Sequence, residues 1–334
     1  NYYMRHTTNL LTLKSFDNPV AGINNYWSNG GSMDNNGFEV TLTAKPVVSK
    51  DFNIEVGASV GHYTNKIKSL PNDDKIYLNG KKDAVGYTSS IYGTDNIATI
   101  VGQAAGSFYG YKTAGVFADD KEAAAAGKDG YLYLTDNTGA KQYFRAGDMH
   151  FVDINGDGEI SEADKTIIGN PNPDIYGNIF ASIMWKNFTL SLGFNYSLGN
   201  DVFNYSRSIL EGGNNFYNQT TAMTNRWRQE GQQTDIPRIS FDDAMGNSRF
   251  SDRWIEDGSY LRLKTLNLSY KVPVNSEWLQ GLTIWAEASN LFTLTHYLGS
   301  DPEFSASNSV LYQGIDPGNI ALSRAFTFGL KINL

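Results

Sequence analysis

The stretch Ile320–Leu334, with the sequence IALSRAFTFGLKINL, decides the fold class. Its large apolar residues fall on every second position: Ile320, Leu322, Phe326, Phe328, Leu330, Ile332 and Leu334. Arg324 is the single interruption. A period of two places these residues on one face of a β-strand and the small or polar residues on the other. The pattern fits a soluble sheet covered by another element, and it also fits a membrane barrel, in which lipid contacts the apolar face and the lumen takes the polar one.

Six further segments repeat this alternation and form three pairs, each joined by a short turn. The pairs are Phe38–Ala44 with Phe52–Val60, Ile175–Trp185 with Phe188–Leu198, and Leu266–Val272 with Leu282–Ala288. Pro46 and Pro273 are expected to end their strands, and Lys186-Asn187 to form the tight turn of the second pair. Such pairs predict β-hairpins with one apolar and one polar face. One more strand is predicted over Tyr2–Leu13.

Long, weakly periodic stretches separate the hairpins, at residues 65–173, 199–258 and 297–319. Short turns at one end of the strands and long loops at the other are typical of outer-membrane barrels. A β-sandwich also alternates, but it gives no reason to place every long loop at one end. The sequence therefore predicts an all-β fold, a transmembrane antiparallel β-barrel with long extracellular loops. Within the first stretch, Asp119–Ala126 is predicted to be a short helix that stops at Gly127.

The composition excludes several classes of function. The chain has 334 residues, a formal net charge of −8 and no cysteine. Nucleic-acid binding needs clustered Lys and Arg, and thiolate metal sites and disulfides need cysteine, so none of these is expected. No apolar run approaches the ~18 residues of a membrane helix. The mean hydropathy of −0.39 is typical of a soluble protein, but it is also compatible with a barrel, because half of each barrel strand and all of the loops are polar.

Six short motifs carry a resemblance to a known family. They are GSFYGY at Gly106–Tyr111, the segment Asp148–Pro171 with D-x-N-x-D-G and IGNP, SYLRLKTL at Ser259–Leu266, NLFT at Asn290–Thr293, DPE at Asp301–Glu303 and SRAFT at Ser323–Thr327. Together they resemble the SusC/RagA family of TonB-dependent outer-membrane transporters. The motifs follow the family's order and span most of the chain, so the set is specific.

This resemblance implies a protein of the bacterial outer membrane that imports a nutrient, either an oligosaccharide or a peptide, and that is not an enzyme. It also implies a SusD-like surface lipoprotein as a lid, energy supplied through TonB, and membrane lipids around the barrel. The sequence departs from the family in lacking a signal peptide, a TonB box and a plug. It also has about eight predicted strands, where plugged barrels have ~22. Residues 1–334 are therefore expected to be the C-terminal part of a longer, plugged barrel.

An Asp-rich loop at 153–164 matches the calcium-loop pattern. The expected ligands are Asp153, Asn155, Asp157, Glu159 through its backbone carbonyl, and Asp164. Oxygen side chains at alternate positions converge on one ion, and Gly158 permits the sharp turn that the loop needs. Asp164 replaces the longer Glu that is usual at the last position. We expect a structural Ca²⁺ that orders a long outer loop; the alternative is an Asx-rich turn without an ion.

Other candidate sites have weaker support. Gly57–Gly61 matches G-x-S-x-G, but that motif needs a strand, a sharp turn and a helix, whereas Ser59 lies on the polar face of an alternating strand. The four histidines are scattered and form no H-E-x-x-H pair. Aromatic residues of the long stretches could stack on sugar rings, contact a peptide or pack within the loops. They include Tyr205, Phe216, Tyr217, Trp227 and Trp254. The sequence does not identify the residues that bind substrate.

Two alternative functions stay open. One is a calcium-stabilised surface binding or adhesion protein built as a soluble β-sandwich, which would not depend on detergent. The other is a passive porin, which needs neither a plug nor a partner. The active importer is the preferred interpretation, because the motif set resembles that of transporters.

Overall fold

The computed structural model describes residues 1–20, 23–71, 74–92, 94–275, 278–307, 309 and 312–333, without the side chains of residues 12–20, 23–27 and 94. In chain order the elements are β1 (Tyr2–Val20), β2 (Ile23–Val48), β3 (Phe52–Ser69), β4 (Lys75–Leu78), β5 (Lys81–Ile91), β6 (Thr94–Ile100), β7 (Ser107–Tyr111), β8 (Thr113–Val116), α1 (Asp120–Ala124), β9 (Tyr133–Thr135), β10 (Lys141–Tyr143), β11 (Met149–Phe151), β12 (Lys165–Gly169), β13 (Ile175–Trp185), β14 (Phe188–Leu198), β15 (Asp201–Asn204), α2 (Tyr205–Glu211), β16 (Ile255–Asp257), β17 (Tyr260–Val272), β18 (Gly281–Thr295), β19 (Ile315–Asp316) and β20 (Ala325–Asn333). Short 3₁₀-helices lie at Glu162–Asp164, Thr221–Asn225, Phe241–Asp243 and Asp252–Trp254.

Eight long strands form one antiparallel sheet, here called the wall. Its order is β1-β2-β3-β13-β14-β17-β18-β20, so neighbours along the sheet are also successive wall strands along the chain. The three hairpins predicted from the sequence are β2–β3, β13–β14 and β17–β18. Successive wall strands run in opposite directions. The turns of these three hairpins therefore lie at the same end of the strands, and the three long connections leave from the opposite end.

The wall has one apolar and one polar face, as the alternation predicts. One row of directly paired residues crosses seven strands on the apolar face: Ala44, Val56, Ala181, Leu192, Leu266, Ala288 and Phe326. A parallel row crosses the other face: Glu55, Ser182, Ser191, Asn267, Glu287 and Thr327. Leu42 is 72% exposed and Phe328 is 80% exposed on the apolar face. Such a surface is expected to contact lipid in a barrel.

Aromatic residues lie near the end of the wall strands where the turns of β2–β3, β13–β14 and β17–β18 are found. Phe52 pairs with Trp185, which pairs with Phe188, which in turn pairs with Tyr270. The ring centroids of Trp185 and Phe188 are 6.4 Å apart, and those of Phe188 and Tyr270 are 4.5 Å apart. A band of rings at this level is typical of the boundary between the hydrocarbon and the headgroups.

On the polar face, aromatic rings lie directly over glycines of the neighbouring strand. The ring of Phe180 occupies the space that a Cβ at Gly57 would need, and the ring of Trp285 does the same at Gly329. The absence of a side chain at these glycines lets the rings lie close to the sheet. Trp285, which interrupts the polar pattern of its strand in the sequence, is accommodated in this way.

Two predicted strand boundaries are wrong. Pro46 does not end its strand, because β2 continues to Val48 across an irregularity in pairing between Ala44 and Val47. Such a bulge lets a strand pass a proline, which has no N–H to donate to the ladder. The last strand begins at Ala325 rather than Ile320. Leu334 lies outside the described residues.

The three long connections are not loops but folded segments, here together called the cap: residues 70–174, 199–259 and 296–324. The first, which is weakly periodic in sequence, contains β4–β12 and α1. The predicted helix at Asp119–Ala126 is confirmed as α1 with Asp119 as its N-cap. A five-stranded sheet has the order β12-β7-β6-β5-β4, and a three-stranded sheet the order β16-β15-β19. Among the described residues, no helix is long and apolar enough to span a membrane.

All three segments of the cap share one hydrophobic core. Its buried residues are Ile97 and Phe108 from the first segment, Phe203 and Trp254 from the second, and Ile315 from the third. The strand β15 of the second segment also pairs in parallel with β19 of the third. The cap is therefore one folded unit rather than three separate loops.

A charge on the apolar face should destabilise the intact protein in a bilayer. We expect Leu192→Arg, near the middle of β14, to lower the free energy of unfolding by about 2–4 kcal/mol, because this position should face hydrocarbon. Urea unfolding in lipid vesicles measures this change. Ser191→Arg, one residue away on the polar face, is the matched control and should cost clearly less. Equal costs at the two positions would contradict a lipid-facing apolar surface.

Candidate functional site

A buried arginine clamp joins the third segment of the cap to the wall. Arg262 is 2% exposed, and its Nη2 donates to Asp301 at 2.5 Å. Its Nη1 forms an ion pair with Glu303, and its Nε donates to the hydroxyl of Thr293 at 2.9 Å. The hydroxyl of Tyr260 also donates to Glu303 at 2.8 Å. The motifs SYLRLKTL, NLFT and DPE therefore meet at one point.

A second buried hub joins the first and second segments of the cap. Asp148 is fully buried and accepts hydrogen bonds from Nε of Arg238 at 2.7 Å and from its Nη2 at 3.0 Å. The amide of Asn247 donates to the same carboxylate at 2.9 Å. The hydrogen bonds to Asp148 raise the pKa of Arg238 above its usual value. The spacing of these residues in the sequence gave no signal for this hub.

Two of the aromatic residues singled out in the sequence pack within the cap. The indole N–H of Trp227 donates to the carbonyl of Ala118 at 3.0 Å, and its ring covers Gly147. Trp254 is fully buried, and its indole N–H donates to the carbonyl of Arg249 at 3.1 Å. These two rings hold the cap together, so the packing alternative applies to them.

Other aromatic residues of the second segment face solvent. Phe216 is 90% exposed, Phe241 is 72% exposed and Tyr217 is 66% exposed. The ring centroids of Phe216 and Phe241 are 5.2 Å apart. We call Phe216, Tyr217 and Phe241 the exposed aromatic cluster. Neighbouring exposed rings of this size are characteristic of interaction surfaces.

The Asp-rich loop has the turn that the calcium-loop pattern requires. Gly158 has a φ of 85°, in the left-handed region that favours glycine. Asp153 closes the turn, because one carboxylate oxygen accepts from the N–H of Gly156 at 2.7 Å and the other from that of Gly158 at 2.8 Å. Asp157 accepts from the N–H of Glu159 at 2.8 Å.

Asp164, the last residue of the loop pattern, is fully buried next to this turn. Its two oxygens accept from the N–H groups of Ile154 and Ser161, each at 2.9 Å. Across the described parts of the chain, no three His, Asp or Glu side chains come close enough together to hold a metal ion. The donors are all of the oxygen type that calcium prefers, and a carboxylate oxygen that accepts one hydrogen bond retains a further lone pair. The donor types and the backbone turn fit calcium, whereas the expected ligands are not gathered around one point: Asn155 Nδ2 donates to Asp157 at 2.7 Å. Calcium binding stays a prediction.

The polar face of the wall contains a shallow cavity of about 470 Å³. Its lining includes Glu39, Ser59, Tyr176, Asn178 and Asn195. Ser59 is central in β3, where its hydroxyl accepts from the N–H of Asn178 at 3.3 Å. It has the strand setting predicted from the sequence, not the strand–turn–helix setting of a nucleophile.

No protein-family model matches the chain. Among curated proteins, the TonB-dependent receptor P3 of Formosa agariphila is 31% identical over 343 residues, which cover 99% of this chain and 32% of that protein. The TonB-dependent receptor SusC of Bacteroides thetaiotaomicron is 28% identical over 345 residues, which cover 99% of this chain and 29% of that protein. The chain thus spans about a third of the length of the curated relatives it matches.

Two solved structures have a similar fold. One is the RagAB peptide transporter, with a TM-score of 0.71 and 23% identity over 99% of this chain and 32% of that chain. The other is the RagAB peptide importer in its "closed-closed" state, with a TM-score of 0.72 and 24% identity over 99% of this chain and 33% of that chain. The predicted β-barrel fold is confirmed, with the wall as a portion of the barrel. The predicted outer-membrane localisation is confirmed by the TonB-dependent receptors among the relatives.

Removing the charge of the arginine clamp should loosen the cap. Arg262→Gln leaves Asp301, which is 3% exposed, buried without its cation, so we expect a loss of about 3–5 kcal/mol in stability. Chemical unfolding measures the loss, and faster protease cleavage within residues 296–324 locates it. Arg262→Lys keeps the charge but lacks the planar guanidinium, so its stability should fall between that of the original protein and that of Arg262→Gln. A stability of Arg262→Gln equal to that of the original protein would contradict the clamp.

Proposed function

We propose that this chain, whose resemblance to the SusC/RagA family of TonB-dependent transporters is confirmed over its whole length, is part of an outer-membrane importer of oligosaccharides or peptides. The observation that carries the proposal is a barrel wall, apolar outside and polar inside, with one folded cap at one end of its strands. Such a cap can select cargo at the mouth of a wet lumen. The cargo is moved and not chemically altered.

In this proposal the cap faces the outside of the cell. Short turns are periplasmic and long connections extracellular in outer-membrane barrels, and the turns of β2–β3, β13–β14 and β17–β18 lie at the ends of the strands away from the cap. Residues 70–174 and 199–259 would then be extracellular, in agreement with the loops predicted from the sequence. Cargo would reach the cap first.

We further propose that a SusD-like surface lipoprotein binds the cap as a lid. The exposed aromatic cluster is the part of the second segment best suited to this contact, because exposed Phe and Tyr rings supply large apolar area. Energy would come through TonB, as in the named receptors. A passive porin would need neither partner, so the two partners separate these functions.

Lid binding should depend on the exposed aromatic cluster. We expect Phe216→Ser combined with Phe241→Ser, made in the full-length receptor, to reduce the lipoprotein that co-purifies in mild detergent by at least tenfold, because central aromatic contacts dominate interfaces. Nutrient uptake should fall with it, while membrane insertion is unchanged. Tyr143→Ser, a 45% exposed tyrosine elsewhere on the cap, is the control.

The two substitutions change only exposed rings. Deletion of Gly212–Gln232 would also remove the buried Met223 and Trp227, which holds the cap together, so its effect on lid binding would be harder to interpret. Unchanged co-purification in the double variant would contradict the proposed lid contact. Uptake that persists in cells without TonB, with no lipoprotein recovered, would favour the porin instead.

We also propose that the loop Asp153–Asp164 binds a structural calcium ion. The support is its oxygen-only donor set and the left-handed turn at Gly158. Bound calcium would fix the turn on which Tyr133 packs, because Tyr133 bridges to Glu159 and accepts the N–H of Ile160 at its carbonyl at 2.8 Å. The role is to order the first segment of the cap.

Terbium, which replaces calcium and emits light when excited through a nearby tyrosine, tests this site. The ring of Tyr133 lies beside Gly158, so terbium in the loop should emit, and calcium should displace it. Asp153→Ala with Asp157→Ala should abolish the signal and increase proteolysis of the first segment, with the wall intact. Asp136→Ala, in an Asx turn without the calcium spacing, is the control. No emission, or the same emission from the double variant, would contradict the proposal.

A further inference from the structure

The outer face of the wall changes from apolar to cationic along the strand β3, at the end of the strand that meets the cap. In order, the residues on this face of β3 are Val56, Ala58, Val60, His62, Thr64, Lys66 and Lys68. The pairing with β2 keeps one register from Val56 to Ile67, so the face does not switch along this length. The apolar surface that should contact lipid therefore leads directly to two lysines.

The cap covers the opposite face of the same part of β3. Ile67 is 3% exposed, and its N–H donates to the carbonyl of Gln103 at 3.0 Å. The N–H of Gly102 donates to the carbonyl of Ile67 at 2.8 Å. Lys66 and Lys68, on either side of Ile67 in the sequence, are exposed. These contacts place the two lysines on the outside of the barrel, next to the surrounding membrane.

The height of the lysines matches that of lipid headgroups. Phe52 belongs to the band of rings near the hairpin turns, and His62 lies in a second band, with its ring centroid 5.7 Å from that of Phe38. The β3 backbone from Phe52 to His62 is about 34 Å long, which gives about 26 Å of height at a ~40° tilt. Aromatic bands flank an apolar belt of ~25 Å in outer-membrane barrels. Lys66 lies about 10 Å higher, at the level of the headgroups.

The lysines form a cluster with a net positive charge, here called the outer patch: His6, Asp34, Lys66 and Lys68. The carboxylate of Asp34 lies 3.4 Å from Nζ of Lys68 and 2.6 Å from Nδ1 of His6. Within the described part of the chain, Lys66 forms no ion pair. Exposed ion pairs contribute little, so Asp34 holds Lys68 only weakly. The patch can therefore attract an anion, although the whole chain has a net charge of −8.

Uncharged donors lie between the outer patch and the apolar surface. Thr64 pairs with Asn36, and both precede the patch on the same face. A hydroxyl and a side-chain amide can each donate a hydrogen bond. A phosphate group has several acceptor oxygens, and its bonds to a cationic donor are the stronger ones. Lysines with a hydroxyl and an amide nearby therefore suit a phosphate.

We propose that the outer patch binds a phosphate of the glycolipid in the outer leaflet, the phosphate that lipid A carries. The acyl chains of the same molecule would lie along the apolar face below, where Leu42 is 72% exposed. One lipid thus matches both parts of the surface, whereas a soluble anion would contact only the charges. The inference goes beyond the proposed import function and rests on its outward orientation of the cap.

Binding of lipid A to the full-length receptor in detergent, measured by native mass spectrometry, tests this inference. We expect Lys66→Gln combined with Lys68→Gln to weaken binding at least tenfold, because each lysine near an anionic headgroup adds to the attraction. Lys66→Arg with Lys68→Arg keeps both charges and should retain binding. Lys121→Gln with Lys128→Gln, at two exposed lysines of the first cap segment, makes the same change in net charge and is the matched control. Lipid A without its phosphates should bind the original receptor weakly.

The other outcomes overturn the inference. They are equal binding of lipid A with and without its phosphates, binding that the Lys66 and Lys68 variant leaves unchanged, and an equal loss in the control. Stronger binding of phosphatidylglycerol, an anionic lipid of the inner leaflet, would also overturn it. Nutrient uptake in cells separates the two proposals: a receptor that imports nothing but binds lipid A as expected would reject the import function alone.

Discussion

Backbone hydrogen bonding is the constraint on which the rest of the structure depends. In hydrocarbon each N–H and C=O must find a partner within the protein, so a membrane wall has to be continuous. The wall meets this demand with unbroken antiparallel pairing from β2 to β18. Its irregularities are small, such as Lys264, which β17 leaves unpaired against both β14 and β18. The long connections therefore lie at one end of the strands, outside the sheet.

Because the long connections lie outside the wall, their apolar residues must be buried within the cap itself. Phe108, Phe203 and Ile315 come from three different segments, yet they occupy one core. None of the segments could bury these side chains alone. Buried charges then fix the arrangement: Asp148 with Arg238 between the first two segments, and the arginine clamp between the third and the wall. Displacement would leave the buried carboxylates of Asp148 and Asp301 without their cations, which is unfavourable and so favours one arrangement of the cap.

The wall was predictable because its signal is local. Alternation at Phe188–Leu198 specifies both the strand and its two faces, and the hairpins follow from short turns. The cap was not predictable, because its strands are short and pair with distant residues, as in the bridge between Tyr111 and Ser251. Periodicity cannot report such contacts. Boundaries failed where tertiary pairing overrode local signals, at Pro46 and at Ile320.

Three of the motifs that carried the family resemblance, SYLRLKTL, NLFT and DPE, meet in the arginine clamp and have a structural role. Arg262, Asp301 and Glu303 contact one another in the clamp, where they hold the third segment of the cap to the wall. Phe216 and Phe241, which are exposed on the cap, lie outside every one of those motifs. A resemblance that rests on structural contacts identifies the architecture, but it says little about the cargo that the protein binds. Specificity must then be sought among the exposed residues of the cap that lie outside these motifs.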